Sequence, residues 1–192
     1  MKINHYLLAS FLCIISISCN KKNKETTSED LVPATVALDT LARGKYLVDT
    51  NGCHDCHSPK RMTEKGLELI PDRILSGHPA DEPLAPYDIE TAKSYVLFTP
   101  GLTAAIGPWG TSFAANLTPD ETGIGTWTND QFFTAIRKGL YKGLEGSRPL
   151  LPPMPWEHYA NFTDEDLSCI FVYLKSLDPV ENIVPAPIPP QA

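Results

Sequence analysis

The stretch Cys53-His54-Asp55-Cys56-His57 decides how the rest of the chain is interpreted. Its spacing is C-x-x-C-H, which is typical of c-type haem attachment. Each cysteine thiol adds to one vinyl group of the haem and forms a thioether, and the adjacent histidine binds the iron. The motif therefore predicts one covalently bound haem c, with Cys53 and Cys56 as the attachment residues and His57 as the proximal iron ligand.

Three other interpretations of the two cysteines compete with haem attachment: a redox disulfide, half of a zinc site, and a pair of buried thiols. A thioredoxin-like C-x-x-C lies in a βαβ pattern, and the sequence around Cys53 shows no such pattern. A cysteine-rich zinc site needs a second pair of ligands, and the chain has no second C-x-x-C. Haem attachment is therefore favoured.

Composition limits the fold and the partners. The chain has 192 residues, enough for one compact domain with tails, and its 18 prolines predict much irregular chain around few helices. The formal net charge of −7 disfavours nucleic acid as a partner and favours a partner protein that has a basic docking patch. No residues form a clear acid–base or nucleophilic constellation, which indicates that the protein is not itself an enzyme.

The first 37 residues predict export and anchoring. Residues 1–18 combine Lys2 with a short apolar run, which is typical of a secretory signal peptide. The sequence around Cys19 resembles a bacterial lipoprotein signal, in which the cysteine becomes lipidated; a plain cleaved signal is the alternative. Residues 19–37 are mostly polar and predict a flexible tether. The expected location is a periplasm-facing lipoprotein of a Gram-negative bacterium, in the outer or the inner membrane.

Three helices are predicted from caps and periodicity. The first is capped by Asp39, runs to about Asp49 and ends before the turn Thr50-Asn51-Gly52, which delivers Cys53. A second helix, 129–138, is capped by Thr128 and stopped by Gly139. The last helix is capped by Thr163 and ends near residue 177. Gly44 in the first helix permits close approach of another helix.

Residues 58–127 show weak periodicity. Short strands are predicted at 95–98 and 110–113. His78 is a competing candidate iron ligand, but its proline- and glycine-containing loop favours a hydrogen-bonding histidine. Trp127 is expected to pack on the haem edge rather than to take part in catalysis.

The segment 150–156, Leu-Leu-Pro-Pro-Met-Pro-Trp, supplies a candidate sixth iron ligand. Met154 lies among prolines in a non-helical loop, so its thioether is held with little freedom. Together with the upstream motif, this favours Met154 as the distal ligand. The alternatives are a gap-filling core methionine at this position, or Met62 as the ligand.

These features, in this order, resemble class I cytochrome c, most closely the cytochrome c subunits of bacterial membrane-bound alcohol dehydrogenases. The resemblance implies a mainly α fold with long irregular loops and a short β-hairpin, with a cytochrome domain at 38–180 and a proline-rich tail at 181–192. It also implies His57/Met154 ligation, and first and last helices that cross with Gly44 and Val48 against Tyr173. The residues that carry the resemblance are 115–120, 122–125, Trp127, 153–155, Tyr159, 163–167 and 173–177. Those subunits usually carry three haem domains, whereas this chain has one C-x-x-C-H. Residues 66–112 are longer than a minimal cytochrome c needs, and we expect them to form a partner surface.

The function expected from these observations is a single-haem carrier. It would pass one electron at a time from a periplasmic or membrane dehydrogenase to a respiratory acceptor, such as an oxidase or another cytochrome. The alternative is a haem enzyme or gas sensor with an open sixth iron position, for which His78, Arg148 and His158 are the candidate distal groups. A third possibility is a haem-free binding lipoprotein with a structural cysteine pair.

Overall fold

The computed structural model describes residues 34–191, with side chains from residue 39 onwards. The predicted signal peptide at 1–18, the predicted lipidation of Cys19 and most of the predicted tether at 19–37 lie outside these residues. Within the described part, no helix is both long enough and apolar enough to cross a membrane.

The described chain contains six helices and two small antiparallel sheets. The first sheet pairs β1 with β2, and the second has the strand order β3-β4-β5. Short 3₁₀ turns occur at Pro71–Arg73 and Tyr141–Gly143. The helices are α1 (Ala34–Thr50), α2 (Cys53–His57), α3 (Ile89–Ala92), α4 (Asn129–Lys138), α5 (Trp156–Tyr159) and α6 (Asp164–Lys175). The strands are β1 (Lys60–Thr63), β2 (Gly66–Leu69), β3 (Leu97–Phe98), β4 (Ala104–Gly107) and β5 (Gly110–Phe113).

The helices α1 and α6 pack against each other at Gly44. A Cβ atom at this position would overlap the Cys169 carbonyl oxygen and would lie 2.7 Å from Tyr173 Cβ. The close approach of α1 to another helix at Gly44 is thus as predicted. The hydrophobic core extends from this contact to α4 and the irregular segments, and consists of Leu47, Val48, Leu75, Ile124, Phe132, Leu167, Ile170, Phe171 and Leu174.

Helix caps follow the local sequence at α4 and α6. Thr128 Oγ1 accepts a hydrogen bond from Gln131 N at 3.2 Å, and Thr128 N donates to Gln131 Oε1 at 3.1 Å, which forms a capping box. Thr163 Oγ1 accepts from Asp166 N at 3.0 Å. The expected cap at Asp39 is wrong, because α1 already begins at Ala34. Alanine and leucine have high helix propensity, so α1 begins several residues before the predicted start.

The middle of the chain is more ordered than predicted. The strands expected at 95–98 and 110–113 are found as β3 and β5, but β4 between them was not predicted. The β1–β2 hairpin, in which Met62 pairs with Leu67, was not predicted either. Its residues are exposed or half-buried on both faces, so the alternation that marks a half-buried strand is missing.

The chain after α6 is built into the fold. Asn182 is 3% exposed and donates from Nδ2 to Ser76 O at 2.7 Å and to His78 O at 2.9 Å. Further on, Ile188 forms an antiparallel bridge with Thr111 at the free edge of β5, with N···O distances of 2.8 and 3.0 Å. The proline-rich segment therefore adds main-chain hydrogen bonds to the sheet next to the cavity described below.

Candidate haem-binding cavity

The predicted site residues line one cavity. Cys53, Cys56, His57 and Met154 all contribute to its wall, although they come from α2 and from a loop far along the chain. The empty volume is about 960 Å³, including the mouth. None of the lining residues has a permanently charged side chain. The apolar part of the wall includes Leu102, Phe113, Leu117, Phe132, Ile136, Leu151, Leu167, Ile170 and Leu174.

Helix α2 places both cysteines on the cavity. It is a little over one turn long, so Cys53 and Cys56, three positions apart, share a face. The helix can start abruptly after α1 because Gly52 adopts a left-handed conformation, with φ +72°. Burial raises the pKa of the Cys53 thiol to about 11 and also raises the pKa of Cys56. Both thiols are thus protonated at neutral pH, and neither forms a disulfide.

His57 is held with one ring nitrogen available. Its Nδ1 donates to the Ala115 carbonyl oxygen at 2.8 Å. This bond fixes the tautomer in which Nε2 carries a lone pair, the form that binds a metal ion. Burial lowers the pKa of His57, which also favours the neutral ring.

Gly77 brings the Ala115 carbonyl close to the imidazole. It has φ +79°, and a Cβ atom there would lie 2.7 Å from the Ala115 carbonyl oxygen. Its N–H donates to His57 O at 2.8 Å. Sequence reasoning placed Gly77 in a loop but did not identify Ala115, because a partner that acts through its main-chain carbonyl leaves no signal in its side chain.

Met154 is carried by a restrained loop. Its N–H donates to Leu151 O at 3.3 Å, and Leu150 N donates to Gly139 O at 2.6 Å. The flanking prolines remove rotation about φ. Ser112 Oγ in β5 donates to Pro152 O at 2.5 Å and anchors the loop to the sheet. The role of Ser112 was not predicted, because the sequence around it shows no pattern that indicates a contact with Pro152.

Tyr159 connects the methionine loop to the attachment helix. It lines the cavity, and its hydroxyl donates to Asn51 O at 2.6 Å, in the turn just before α2. Burial raises the pKa of Tyr159 to about 12, so the phenol stays protonated and keeps donating over the physiological pH range. Tyr159 was assigned to the family pattern by resemblance, but its contact with this turn was not predicted.

The cavity fits a haem c group. Two uncharged thiols on one helical face match the two vinyl positions, His57 Nε2 and the Met154 thioether are ligands of the kind that haem iron takes, and the apolar wall suits the macrocycle. A cysteine-rich metal centre is less well matched: the described residues contain no cluster of three or more His, Cys, Asp or Glu side chains that could hold a metal ion.

The competing candidates lie elsewhere. His78 is 0% exposed; Thr103 Oγ1 lies 2.9 Å from its Nδ1, and Glu82 O lies 3.3 Å from its Nε2. It is therefore the hydrogen-bonding loop histidine that its sequence context favours. Met62 is 71% exposed on β1. Arg148 lies over the Tyr141 ring at 4.0 Å, and His158 is exposed. None of the four lines the cavity.

Trp127 is half-buried and packs against the hydrophobic core, and it is not among the residues that line the cavity. Its packing on the haem edge stays a prediction. Phe132 and Ile136, in the helix α4 that follows Trp127, do line the cavity.

Comparison with known proteins identifies relatives that are cytochrome subunits of dehydrogenases. The chain is 32% identical to the gluconate 2-dehydrogenase cytochrome c subunit of Pantoea cypripedii, over 71% of this chain and 23% of that protein. It is 30% identical to the cytochrome c subunit of the quinone-dependent alcohol dehydrogenase of Gluconacetobacter polyoxogenes, over 79% and 27%. It is 27% identical to the fructose dehydrogenase cytochrome subunit of Gluconobacter japonicus, over 74% and 22%.

The relatives are longer than the region they share with this chain. The chain spans about a quarter of the length of these curated proteins. No family model matches it. The aligned region includes most of this chain, so the similarity extends well beyond a five-residue motif. The chain is thus similar, over most of its length, to a segment of the cytochrome c subunits of dehydrogenases.

Proposed function

We propose that the chain carries one covalently attached haem c and transfers single electrons. The observation that supports this most strongly is the meeting of Cys53, Cys56, His57 and Met154 in one apolar, uncharged cavity. In this assignment Cys53 and Cys56 would form the thioethers, and His57 Nε2 and the Met154 thioether would bind the iron. When bound, the haem iron would supply a one-electron couple between its ferrous and ferric states.

The residues of the chain would position the haem and tune its potential. His57 is oriented by its hydrogen bond to the Ala115 carbonyl, which makes Nε2 a better donor to the iron. Met154 is presented by a loop fixed to β5 through Ser112, which would hold its thioether ready to bind the iron. The apolar wall would keep water away. Histidine and methionine as iron ligands would raise the reduction potential, which suits a protein that passes electrons onward.

The fold that goes with this function is the class I cytochrome c fold, with its domain at 38–180. The packing of α1 on α6 at Gly44 supports the assignment, as does the position of the C-x-x-C-H helix directly after α1. The segment 58–127 would then be an elaboration of that fold, with the two small sheets inserted between the attachment helix and α4.

The proposed partners are a dehydrogenase as electron donor and a respiratory acceptor, either an oxidase or another cytochrome. The names of the relatives support a dehydrogenase, since all three are cytochrome subunits of such enzymes. The sequence of the leader supports export to the periplasm and attachment to a membrane through lipidated Cys19. In this proposal the chain itself catalyses no substrate conversion.

The direct test of covalent attachment is haem retention after denaturation. The protein is expressed with a c-type haem maturation system, and wild type is expected to keep one haem per chain on a denaturing gel and in the intact mass. The double substitution Cys53→Ser and Cys56→Ser should abolish retention. Cys169→Ser is the matched control, because Cys169 is buried in α6 and does not line the cavity. A wild-type chain that loses its haem on denaturation would contradict the assignment.

A further inference from the structure

Lys60 makes an unusual set of contacts behind the attachment helix. Its ammonium nitrogen lies 2.7 Å from Asp55 O, 3.2 Å from Ser58 O and 3.3 Å from His54 O. These carbonyls belong to α2 or to the residue that ends it. His54 O also accepts from Ser58 N at 3.3 Å. A cation is well suited to the carbonyls at the end of a helix, where the last ones lack partners within the helix.

The fourth contact of Lys60 reaches a distant part of the chain. Nζ donates to Gly101 O at 3.0 Å, in the turn between β3 and β4. The next two residues, Leu102 and Thr103, line the cavity. One ammonium group therefore joins the helix that carries both cysteines and His57 to another part of the cavity wall.

The charge of Lys60 is not neutralised by a salt bridge. It forms no ion pair with any carboxylate in the part of the chain that the structure describes. It is partly desolvated, and its hydrogen-bond partners are main-chain carbonyls. The Asp55 carboxylate interacts electrostatically with the ammonium group but forms no ion pair with it. A partly buried charge is screened much less than one in open solvent.

We propose that Lys60 is a positioning residue for the haem, and that its positive charge raises the reduction potential. It holds α2 against the turn at Gly101, and its charge favours the iron state with the lower positive charge, which is the ferrous state. This inference rests on the proposed function, because it needs haem at Cys53, Cys56 and His57. The electron still comes from the donor protein and leaves to the acceptor; Lys60 gains and loses no proton in the transfer.

The test is a potentiometric titration of the haem-loaded protein with substitutions at Lys60. Lys60→Met removes the charge and the donors at similar length and should lower the equilibrium constant for reduction roughly tenfold, which is about 59 mV for a one-electron couple. Lys60→Gln keeps two amide donors without the charge and should shift the potential in the same direction. Lys60→Arg keeps the charge and should restore most of the potential.

Lys65→Met is the matched control. Lys65 lies in the turn of the same hairpin, is exposed and forms no ion pair with a described carboxylate, so solvent screens its charge and the shift should be small. Equal potentials for wild type, Lys60→Met and Lys60→Gln would overturn the role of Lys60. So would a shift in Lys60→Met that Lys60→Arg does not restore.

The result for wild type separates this inference from the function on which it rests. If wild type retains no covalent haem, the proposed function is wrong and the inference falls with it. If wild type carries haem and the potential is insensitive to the charge at position 60, only the inference on Lys60 is wrong. If Lys60→Met fails to mature, Lys60→Gln is compared with Lys60→Arg instead. A lower potential in Lys60→Gln than in Lys60→Arg supports the inference, and equal potentials overturn it.

Discussion

Replacing Gly44 with alanine should destabilise the protein by forcing α1 away from α6. A Cβ atom at Gly44 would overlap the Cys169 carbonyl oxygen and would lie 2.7 Å both from the Cys169 carbonyl carbon and from Tyr173 Cβ. Two of these three atoms are main chain, and the third is a Cβ. No side-chain rotation relieves the overlap, so the two helices have to separate.

The magnitude follows from two opposing effects. Overpacking of a tight contact costs about 1–3 kcal/mol, and an overlap with main chain belongs at the upper end of that range. Alanine in a helix gains back about 1 kcal/mol over glycine. The free energy of unfolding should therefore fall by about 2 kcal/mol. For a domain of this size, that corresponds to a decrease in Tm of roughly 4–8 °C.

The assay is thermal and urea unfolding of the haem-loaded protein, followed by circular dichroism. Gly101→Ala is the matched control, because a Cβ atom there would meet only Thr103 Oγ1 at 3.9 Å and Lys60 N at 4.0 Å. The control should change stability by less than about 0.5 kcal/mol. A Gly44→Ala protein as stable as wild type would show that the two helices do not approach as closely as described.

Two further predictions concern the tail and the cavity. Asn182→Ala should reduce the free energy of unfolding by about 2–3 kcal/mol, because it removes the hydrogen-bond partners of Ser76 O, His78 O and Ala80 N. The measurement is urea unfolding, with Asn161→Ala at an exposed position as the control. Equal losses of stability in the two variants would refute the docking of the tail. Tyr159 has a folded-state pKa of about 12 against an ordinary value of 10.0, so its contribution to stability is complete below about pH 10 and is lost as the pH rises towards 12. Tyr159→Phe should therefore lose less stability than wild type between about pH 8 and pH 11, whereas Tyr95→Phe, at an exposed position, should follow wild type. An unchanged pH dependence in Tyr159→Phe would contradict the raised pKa that burial gives this phenol.

The parts of the fold that the sequence predicted well are those with local signals. The caps at Thr128 and Thr163 and the stop at Gly139 act within one turn of the helix they bound, so their residue types are sufficient evidence. The close approach at Gly44 was also predictable, because a glycine inside an apolar helical pattern indicates a packing contact.

The parts that were missed depend on distant segments of chain. Asn182 is buried because it satisfies carbonyls at positions 76 and 78, and nothing around residue 182 indicates those partners. The β1–β2 hairpin is exposed on both faces and lacks alternation. The packing of Trp127 against the hydrophobic core was not predicted either, because an aromatic residue near a haem motif is compatible with both the core and the haem edge.

The candidate site divides in the same way. Its chemically distinctive residues, namely the two cysteines, His57 and Met154, were predicted from motif and loop composition, and the structure brings all four to one cavity. The residues that hold them in place were not predicted. Ala115 accepts from His57 through its main-chain carbonyl, and Ser112 donates its hydroxyl to Pro152 O. Lys60 donates both to carbonyls of α2 and to Gly101 O.

The measurement that tests the central claim most directly is the absorption spectrum of the haem-loaded protein, ferric and ferrous, for wild type and Met154→Ala. Wild type should show the weak far-red band of ferric iron bound to a thioether and should not bind carbon monoxide readily. Met154→Ala should lose the band and bind carbon monoxide, while Met62→Ala, at an exposed position, should behave as wild type. A wild-type protein that is high-spin or binds carbon monoxide readily would contradict the electron-carrier account and favour an enzyme or gas sensor.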